Sequence, residues 1–380
     1  MKGNLIMAAA VASMISCNSA SVNVADTPGS ELGFSLNFFK KAMAVSDKDA
    51  NVTVSPYSAG LALSMLMQGA DGETKVELNN ALNGCVLTNE EIDKGEDLVV
   101  KTANSVWLDD DFAVRNTYVD HLSKEYDALV TSLSFADPET VHAINNWCSE
   151  HTEGLINGIV DKLTPQMKMV LANALYFKAE WIKTFSTQMT KDAVFHGSKG
   201  NADVPFMSKK DSYMYAEYYG NQLIELPYAG GKYSMYILLP SKDIDVNEIF
   251  SYLNESSVKE VVGMMEVQQV SLKLPKFKLE TEMSLVHTLQ NMGVRSAFTS
   301  AADFSSIARG SLAVSDILHK TVVDVNENGT EAAAVTAVMM ALTAARPSQP
   351  KVMEVNRPFI YMIADMEAGR ILFSGRVMNL

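Results

Sequence analysis

Two periodicities divide the chain. From Glu31 onward, apolar residues recur at three- and four-residue steps: first Leu32, Leu36, Phe39 and Met43, then Ala62 to Met67 after a Ser-Pro start, then Val141 to Ile159. Such spacing lines one face of an α-helix, so helices are predicted to dominate as far as about residue 175. Beyond that point the chain turns to short runs rich in β-branched and aromatic residues, QLIELPY, YSMYILLP, VSLKLPKF and RILFSGRV, bounded by Gly, Pro, Asp or Asn. These read as strands. No Pro- or Ser-rich linker separates the halves, and there is no repeat at a period of roughly twenty to fifty residues. The pattern predicts a single α+β domain over 31–380.

The N-terminus is set apart from that domain. One Lys and no acid precede an apolar stretch from Leu5 to Ile15, which is short for a membrane span and suits an export signal. Met14-Ile15-Ser16-Cys17 resembles the bacterial lipobox, in which a small residue precedes a Cys that is lipidated as the signal is removed. The expectation is a lipoprotein-type signal over 1–16, a lipid on Cys17 and a small, polar tether over 17–30. The protein is then exported and held on a bacterial membrane, in the periplasm or at the cell surface. The alternative is an ordinary secretory signal cut near Ala20 or Ala25.

Composition narrows the function. The 380 residues carry 31 basic and 45 acidic side chains, a formal charge of −14, and 47% of them are hydrophobic. That is ample for a folded core and far from the disordered regime. An acidic chain without a Lys/Arg run is a poor partner for nucleic acid or an anionic membrane surface, so membrane contact is expected only through the lipid. His121, His142, His151, His196, His287 and His319 are scattered, with no HExxH. No GxSxG, SxxK with KTG, GxxxxGK[ST] or strand-borne GxGxxG is present, so no catalytic residue, metal or cofactor is predicted. Cys85 and Cys148 read as buried thiols, a disulfide between them being left open. The 22 methionines read as adaptable core filling.

One segment fits none of these patterns. Thr330 to Ala345 contains a single charge, no Gly and no Pro. Thr330, Ala332, Ala334 and Thr336 alternate with Glu331, Ala333, Val335 and Ala337, and the first set is uniformly small. As a strand, this segment could slip into a tight gap with its small side chains inward. Its alanines would equally support an exposed helix.

The flanks resemble a known family. LHKTVVDVNENGTEAA before the segment and EVNRPFIYMIAD with GRILFSGRV after it are similar to the serpins, the serine protease inhibitors. So are Asn51 to Ser58, as the start of the helix beneath the main sheet, LANALYFKAEWIKTF from Leu171 to Phe185, as a central strand and the turn after it, and LPYAGGKYSMYILLP and LPKFKLE, in the expected order. The resemblance implies an α+β fold of three β-sheets and about nine helices, with an exposed reactive-centre loop over about 327–355. Its hinge would comprise Glu327, Gly329, Thr330, Glu331, Ala332, Ala333 and Ala334. At the mouth of the main sheet Glu327 should meet Lys276 beside Trp181, while Ser55, Ser58, Asn173 and His319 should form a hydrogen-bonded cluster below.

The function implied is suicide-substrate trapping of a serine protease, or of a papain-like cysteine protease, by a monomer that works once. Counting from Glu327 by the family's spacing puts the reactive bond at Thr343 or Leu342, with Ala344 on the leaving side. Counting back from Asn356 lands near Pro347. Arg346 is rejected as bait because Pro347 follows it, and the apolar run before it suits elastase-like, chymotrypsin-like or subtilisin-like targets. The alternative is a non-inhibitory binding lipoprotein of the same fold.

Overall fold

The structure, a computed structural model, describes residues 29–89, 98–154, 156, 158–330 and 349–380. The signal segment, Cys17, hinge residues Glu331 to Ala334 and the reactive bond at Leu342, Thr343 and Ala344 lie outside the described residues.

The first helix, α1 (Glu31–Val45), starts where it does because Ser30 caps it, its Oγ accepting the Gly33 amide at 3.1 Å. Leu32, Leu36, Phe39 and Met43 are all buried, as their spacing predicts. After β1 (Val52–Val54), Ser55 caps α2 (Pro56–Gly69) through the Ser58 amide, and Pro56 occupies the first turn, where no N–H is missed. Nearly all of α2 is buried, so its apolar residues run round the helix rather than along one stripe.

α3 (Gly72–Ala81), β2 (Leu98–Leu108), α4 (Asn116–Tyr126), β3 (Ala128–Ser132), α5 (Glu139–His151) and β4 (Met169–Glu180) follow. The second half runs through β5 (Lys191–Gly197), β6 (Gly200–Tyr218), β7 (Asn221–Pro227) and β8 (Ser234–Leu239) to α6 (Val246–Tyr252) and α7 (Glu255–Gly263). Then come β9 (Glu266–Pro275), β10 (Phe277–Ser284), α8 (Val286–Asn291), β11 (Asp316–Val325), β12 (Gly329–Thr330), β13 (Lys351–Glu354), β14 (Phe359–Asp365) and β15 (Arg370–Val377).

Three expectations are corrected. The first half is not wholly helical, because β1, β2 and β3 lie within it, whereas β4, buried on both faces and without alternation to read, is the central strand that the resemblance of Leu171 to Phe185 implied. The helix over Val141 to Ile159 ends at His151. There Glu153 and Gly154 take positive φ and the Asn145 side chain accepts from the Ile159 and Val160 amides instead. Cys85 is only half-buried, and both it and Cys148 are free thiols.

Among the described residues the strands form two hydrogen-bonded systems. One, of nine strands, runs β1-β15-β14-β8-β7-β6-β9-β13, with β5 on β6. It unites two of the three sheets implied by the resemblance, because the 19-residue β6 pairs in turn with β5, β9 and β7. The other runs β10-β11-β12-β4-β2-β3. α1 and α2 pack into the large core on one face of this six-stranded sheet. On the other face α5 closes a smaller cluster of Ala103, Trp107, Ile144, Cys148, Val170 and Ala174.

Candidate functional site

The site is built where β4 and β11 meet. Along their lower halves the two strands pair directly and in parallel, from Asp316 opposite Val170 to Thr321 opposite Leu175. Above that they part, and β12 lies between them: Thr330 is antiparallel to Val325 on one side and to Ala179 on the other, with Gly329 opposite Glu180. The chain reverses to reach this position through a tight turn, with the Asn326 amide donating to Gly329 O at 2.9 Å and the Asn328 amide to Asn326 Oδ1 at 3.0 Å.

Gly329 is needed here for space. A Cβ at this position would stand 2.0 Å from Ala179 O and 2.7 Å from Glu180 Cα, both backbone atoms that cannot yield cheaply. Thr330 is buried, and its Oγ1 is 2.7 Å from the Tyr228 hydroxyl. Tyr228 in turn stacks on Trp181 with ring centroids 4.4 Å apart and planes at 12°. Burial pushes the Tyr228 phenol well above its ordinary pKa, so it stays protonated and able to donate.

Trp181 holds the turn at two points, its backbone N–H on Asn328 O at 2.8 Å and its indole Nε1 on Asn326 O at 3.0 Å. The Phe185 amide donates to Glu327 O at 2.8 Å. The Glu327 carboxylate is 2.8 Å from Lys276 Nζ and accepts from Thr190 Oγ1 at 2.7 Å. Its side chain is 8% exposed against 35% for Lys276, so the pair is partly withdrawn from water. Burial works to raise the Glu327 pKa, but the hydrogen bonds from Lys276 and Thr190 outweigh it and hold the carboxyl below its usual range. Glu327, Lys276 and Trp181 thus lie together at the mouth. Thr190 and Tyr228 complete the arrangement; nothing in the spacing of the sequence pointed to Thr190.

Below, the four remaining residues are brought close without forming one network. His319 and Asn173 are opposite each other in the β11–β4 register. His319 Nε2 accepts from the Ser55 backbone amide at 3.0 Å, and Ser55 Oγ accepts from the Ser58 amide at 3.1 Å. Asn173 turns the other way, its amide donating to Asn104 Oδ1. His319 Nδ1, Asn173 Oδ1 and Ser58 Oγ are buried with no hydrogen-bond partner among the described residues. An Nε2 that accepts requires the proton on Nδ1, and complete burial lowers the His319 pKa to about 4. The imidazole is therefore neutral at physiological pH.

Among the described residues of the two regions no hydroxyl or thiol is hydrogen-bonded to His319, whose Nε2 takes a backbone amide. Asp109, Asp110 and Asp111 lie elsewhere with their carboxylates grouped, but the one buried member, Asp109, already accepts from the Phe135 amide and stands 3.6 Å from Lys168. What the mouth holds is the two-residue strand β12, paired on both sides.

Comparison with known proteins gives a consistent result. A model of the serpin (serine protease inhibitor) family matches residues 30–380. An uncharacterized serpin-like protein of Thermococcus kodakarensis is 33% identical over 362 residues, 91% of this chain and 84% of its own. Intracellular coagulation inhibitor 2 of Tachypleus tridentatus is 32% identical over 353 residues, 87% of this chain and 86% of its own. Among solved structures, the thermophilic serpin tengpin in its native state superposes with a TM-score of 0.84 at 32% identity, covering 92% of this chain and 93% of its own.

Proposed function

Because the chain belongs to the serpin family, we propose that it is a single-use inhibitor of serine proteases that traps its target by inserting the reactive loop into the six-stranded sheet. The observation that carries this reading is Thr330 seated between β4 and β11, paired on both sides. A strand that continues this pairing must turn Thr330, Ala332, Ala334 and Thr336 to the same face, and all four are small. A non-inhibitory binder would have no use for such a run.

In this mechanism the protease serine attacks the carbonyl carbon of Leu342 or Thr343, the peptide C–N bond breaks, and the new amino terminus leaves with the departing proton. The acyl ester then travels with the loop as it parts β4 from β11 and takes its place between them. Hydrolysis of the ester competes with insertion, so a slowed insertion turns inhibitor into substrate. Targets with shallow or apolar specificity pockets, elastase-like, chymotrypsin-like or subtilisin-like, suit the run Met340 to Ala345. The same trap extends to papain-like cysteine proteases through a thioester.

The deciding experiment is incubation with an elastase-like and a subtilisin-like protease. A covalent complex that survives boiling in detergent is expected, with a released C-terminal peptide beginning between Thr343 and Ala345. Absence of any complex, with full cleavage, would leave the binding-only reading. A peptide starting at Pro347 would overturn the assigned bond. The lipoprotein signal adds a proposal of place: membrane-fraction recovery through Cys17, lost in Cys17→Ser.

A further inference from the structure

A cavity of about 470 Å3 lies where the chain, having left β13, enters β14. Asn356, Arg357 and Pro358 contribute to its lining from that connection, the residues between β8 and α6 from a second, and Asp49, between α1 and β1, from a third. Pro240, Val246 and Met378, all buried, make part of the lining apolar. Nothing in the strand-insertion reading uses this place.

The charges of the lining are kept apart rather than paired. Arg357 Nε and Nη2 donate to Pro240 O at 3.1 and 2.6 Å, and the guanidinium makes no ion pair among the described residues. Burial alone lowers its pKa, with no carboxylate near enough to oppose the shift. Asn356 precedes Arg357 and Ser241 follows the carbonyl that holds it; both are half-buried, and the Asn356 amide and Ser241 hydroxyl bond to nothing among the described residues. Asp49 and Asp245 belong to another end of the cavity. Asp245 Oδ1 accepts from the Asn247 backbone and side-chain amides at 2.8 and 3.0 Å, and Asn247 Oδ1 accepts from Arg376 Nη1 at 2.6 Å. Arg376 Nη2 donates to the carbonyls of Asp47 and Ala50, which flank Asp49. Asp49 and Asp245 thus act on the buried Arg376 and not on Arg357. The Asp49 carboxylate and Asp245 Oδ2 accept no hydrogen bond among the described residues.

With Lys242 exposed in the same lining, two cations stand against two carboxylates, so the cavity as a whole selects neither an anion nor a cation. Held at separate ends, they select a dipole. We propose that this cavity binds a short apolar peptide with both termini free, its carboxylate on Arg357, Asn356 and Ser241, its ammonium on Asp49 and Asp245, and its side chains against Pro240, Val246 and Met378. The volume exceeds that of a single amino acid and lies in the usual range of ligand sites, and a few convergent polar groups on an apolar lining are what such sites present. The unused Asn356 side chain, donor and acceptor at once, also suits a peptide group.

The probe is trileucine, titrated calorimetrically into the uncut full-length chain beside its N-acetyl and C-terminal amide derivatives. One site is expected for trileucine, with each blocked peptide weaker by at least about tenfold, because each loses a charge-assisted contact. Asp49→Asn removes a carboxylate that accepts no hydrogen bond among the described residues, so the variant should fold as the parent does. It should weaken trileucine several-fold and should not weaken the N-acetyl peptide, which has no ammonium to lose. Arg357→Gln should weaken trileucine and spare the amide in the same way.

No binding to the parent, or equal binding of the free and blocked peptides, overturns the site. So does binding of trileucine untouched by Asp49→Asn, which would put the peptide elsewhere, as at the mouth of the six-stranded sheet. If Arg357→Gln does not fold, the blocked peptides and Asp49→Asn decide the matter without it. A chain that traps no protease fails the inhibitor reading and leaves each of these outcomes as decisive as before.

Discussion

The two ends of the β4–β11 seam are closed in different ways. At the mouth the strands are spread by Thr330, and the turn before it is held by side chains: the Tyr228 hydroxyl, the Trp181 indole and the Glu327–Lys276 pair at 2.8 Å. Every polar side chain in that set has a partner. In the lower half the closure is the backbone ladder itself, and the side chains beside it are poorly served, with His319 Nδ1, Asn173 Oδ1 and Ser58 Oγ all buried without partners among the described residues. A buried polar group left unpaired costs about 1–3 kcal/mol. The mouth is thus satisfied and open by one strand, while the lower seam is shut at a local cost. A sheet arranged so resists the first step of opening more through its latch than through its seam.

The largest test of this contrast is Thr330→Arg. A guanidinium cannot replace a buried hydroxyl between two strands, and an unpaired buried charge costs about 3–5 kcal/mol, so the hinge should leave its dock. Expected is near-complete conversion from inhibitor to substrate, read as loop cleavage without a covalent complex. Unchanged inhibition would mean that the dock has no part in trapping.

Next comes acidification, which acts on the lower seam. The folded state holds His319 neutral down to a pKa of about 4, while the unfolded chain takes up the proton near 6.5. The unfolded state therefore binds more protons between these values. Stability should fall as pH drops from about 6.5 to about 4, by about 3 kcal/mol in all from this group, and level off below. Denaturant midpoints across that range would show the slope, and His319→Phe should flatten it. A slope that persists in His319→Phe belongs to other groups.

Gly329→Ala returns to the mouth. Its Cβ would meet backbone at 2.0 Å, and overpacking of this kind costs about 1–3 kcal/mol. The turn should be displaced, exposing Trp181 and shifting its fluorescence to the red, with a partial loss of inhibition smaller than that of Thr330→Arg. The smallest effect is expected from Glu327→Gln, which keeps a side chain able to bond Thr190 but removes a pair that is one-third exposed on its Lys276 side, for a loss under about 1 kcal/mol. Thermal midpoints should rank the variants in that order, and Glu327→Gln falling below Gly329→Ala would reverse the weight given to packing over charge.

Sequence periodicity located α1 through its buried stripe, α2 through its apolar run after Ser-Pro, and β7, β8, β9 and β15 through short apolar runs between turn residues, but it passed over α6, α7 and α8 in the half it read as strands. It misread the stretch containing β2 and β4, where the resemblance alone marked Leu171 to Phe185 as a central strand. With both faces of β4 buried, a central strand and a helix interior look alike. The meeting of Glu327, Lys276 and Trp181 was legible only through resemblance, since the three come from distant parts of the chain. Thr190 and Asn104 were not legible at all: each is an ordinary polar residue made special by a partner far away in sequence. The lower cluster was anticipated as a set of residues but not in its wiring, because a residue list does not say that His319 takes a backbone amide and Asn173 faces the other way.

The position of Thr330 also bears on the kinetics of insertion. Starting a new strand inside a sheet is ordinarily slow, because several dihedrals must be fixed before the first hydrogen bonds repay them, whereas lengthening an existing one adds bonds residue by residue. Here the first rung is already laid on both sides. On the proposed mechanism, insertion would then need no separate nucleation step and would proceed as a zipper. Its rate should be set by how quickly six paired positions, from Thr321–Leu175 down to Asp316–Val170, exchange their old partner for the incoming one.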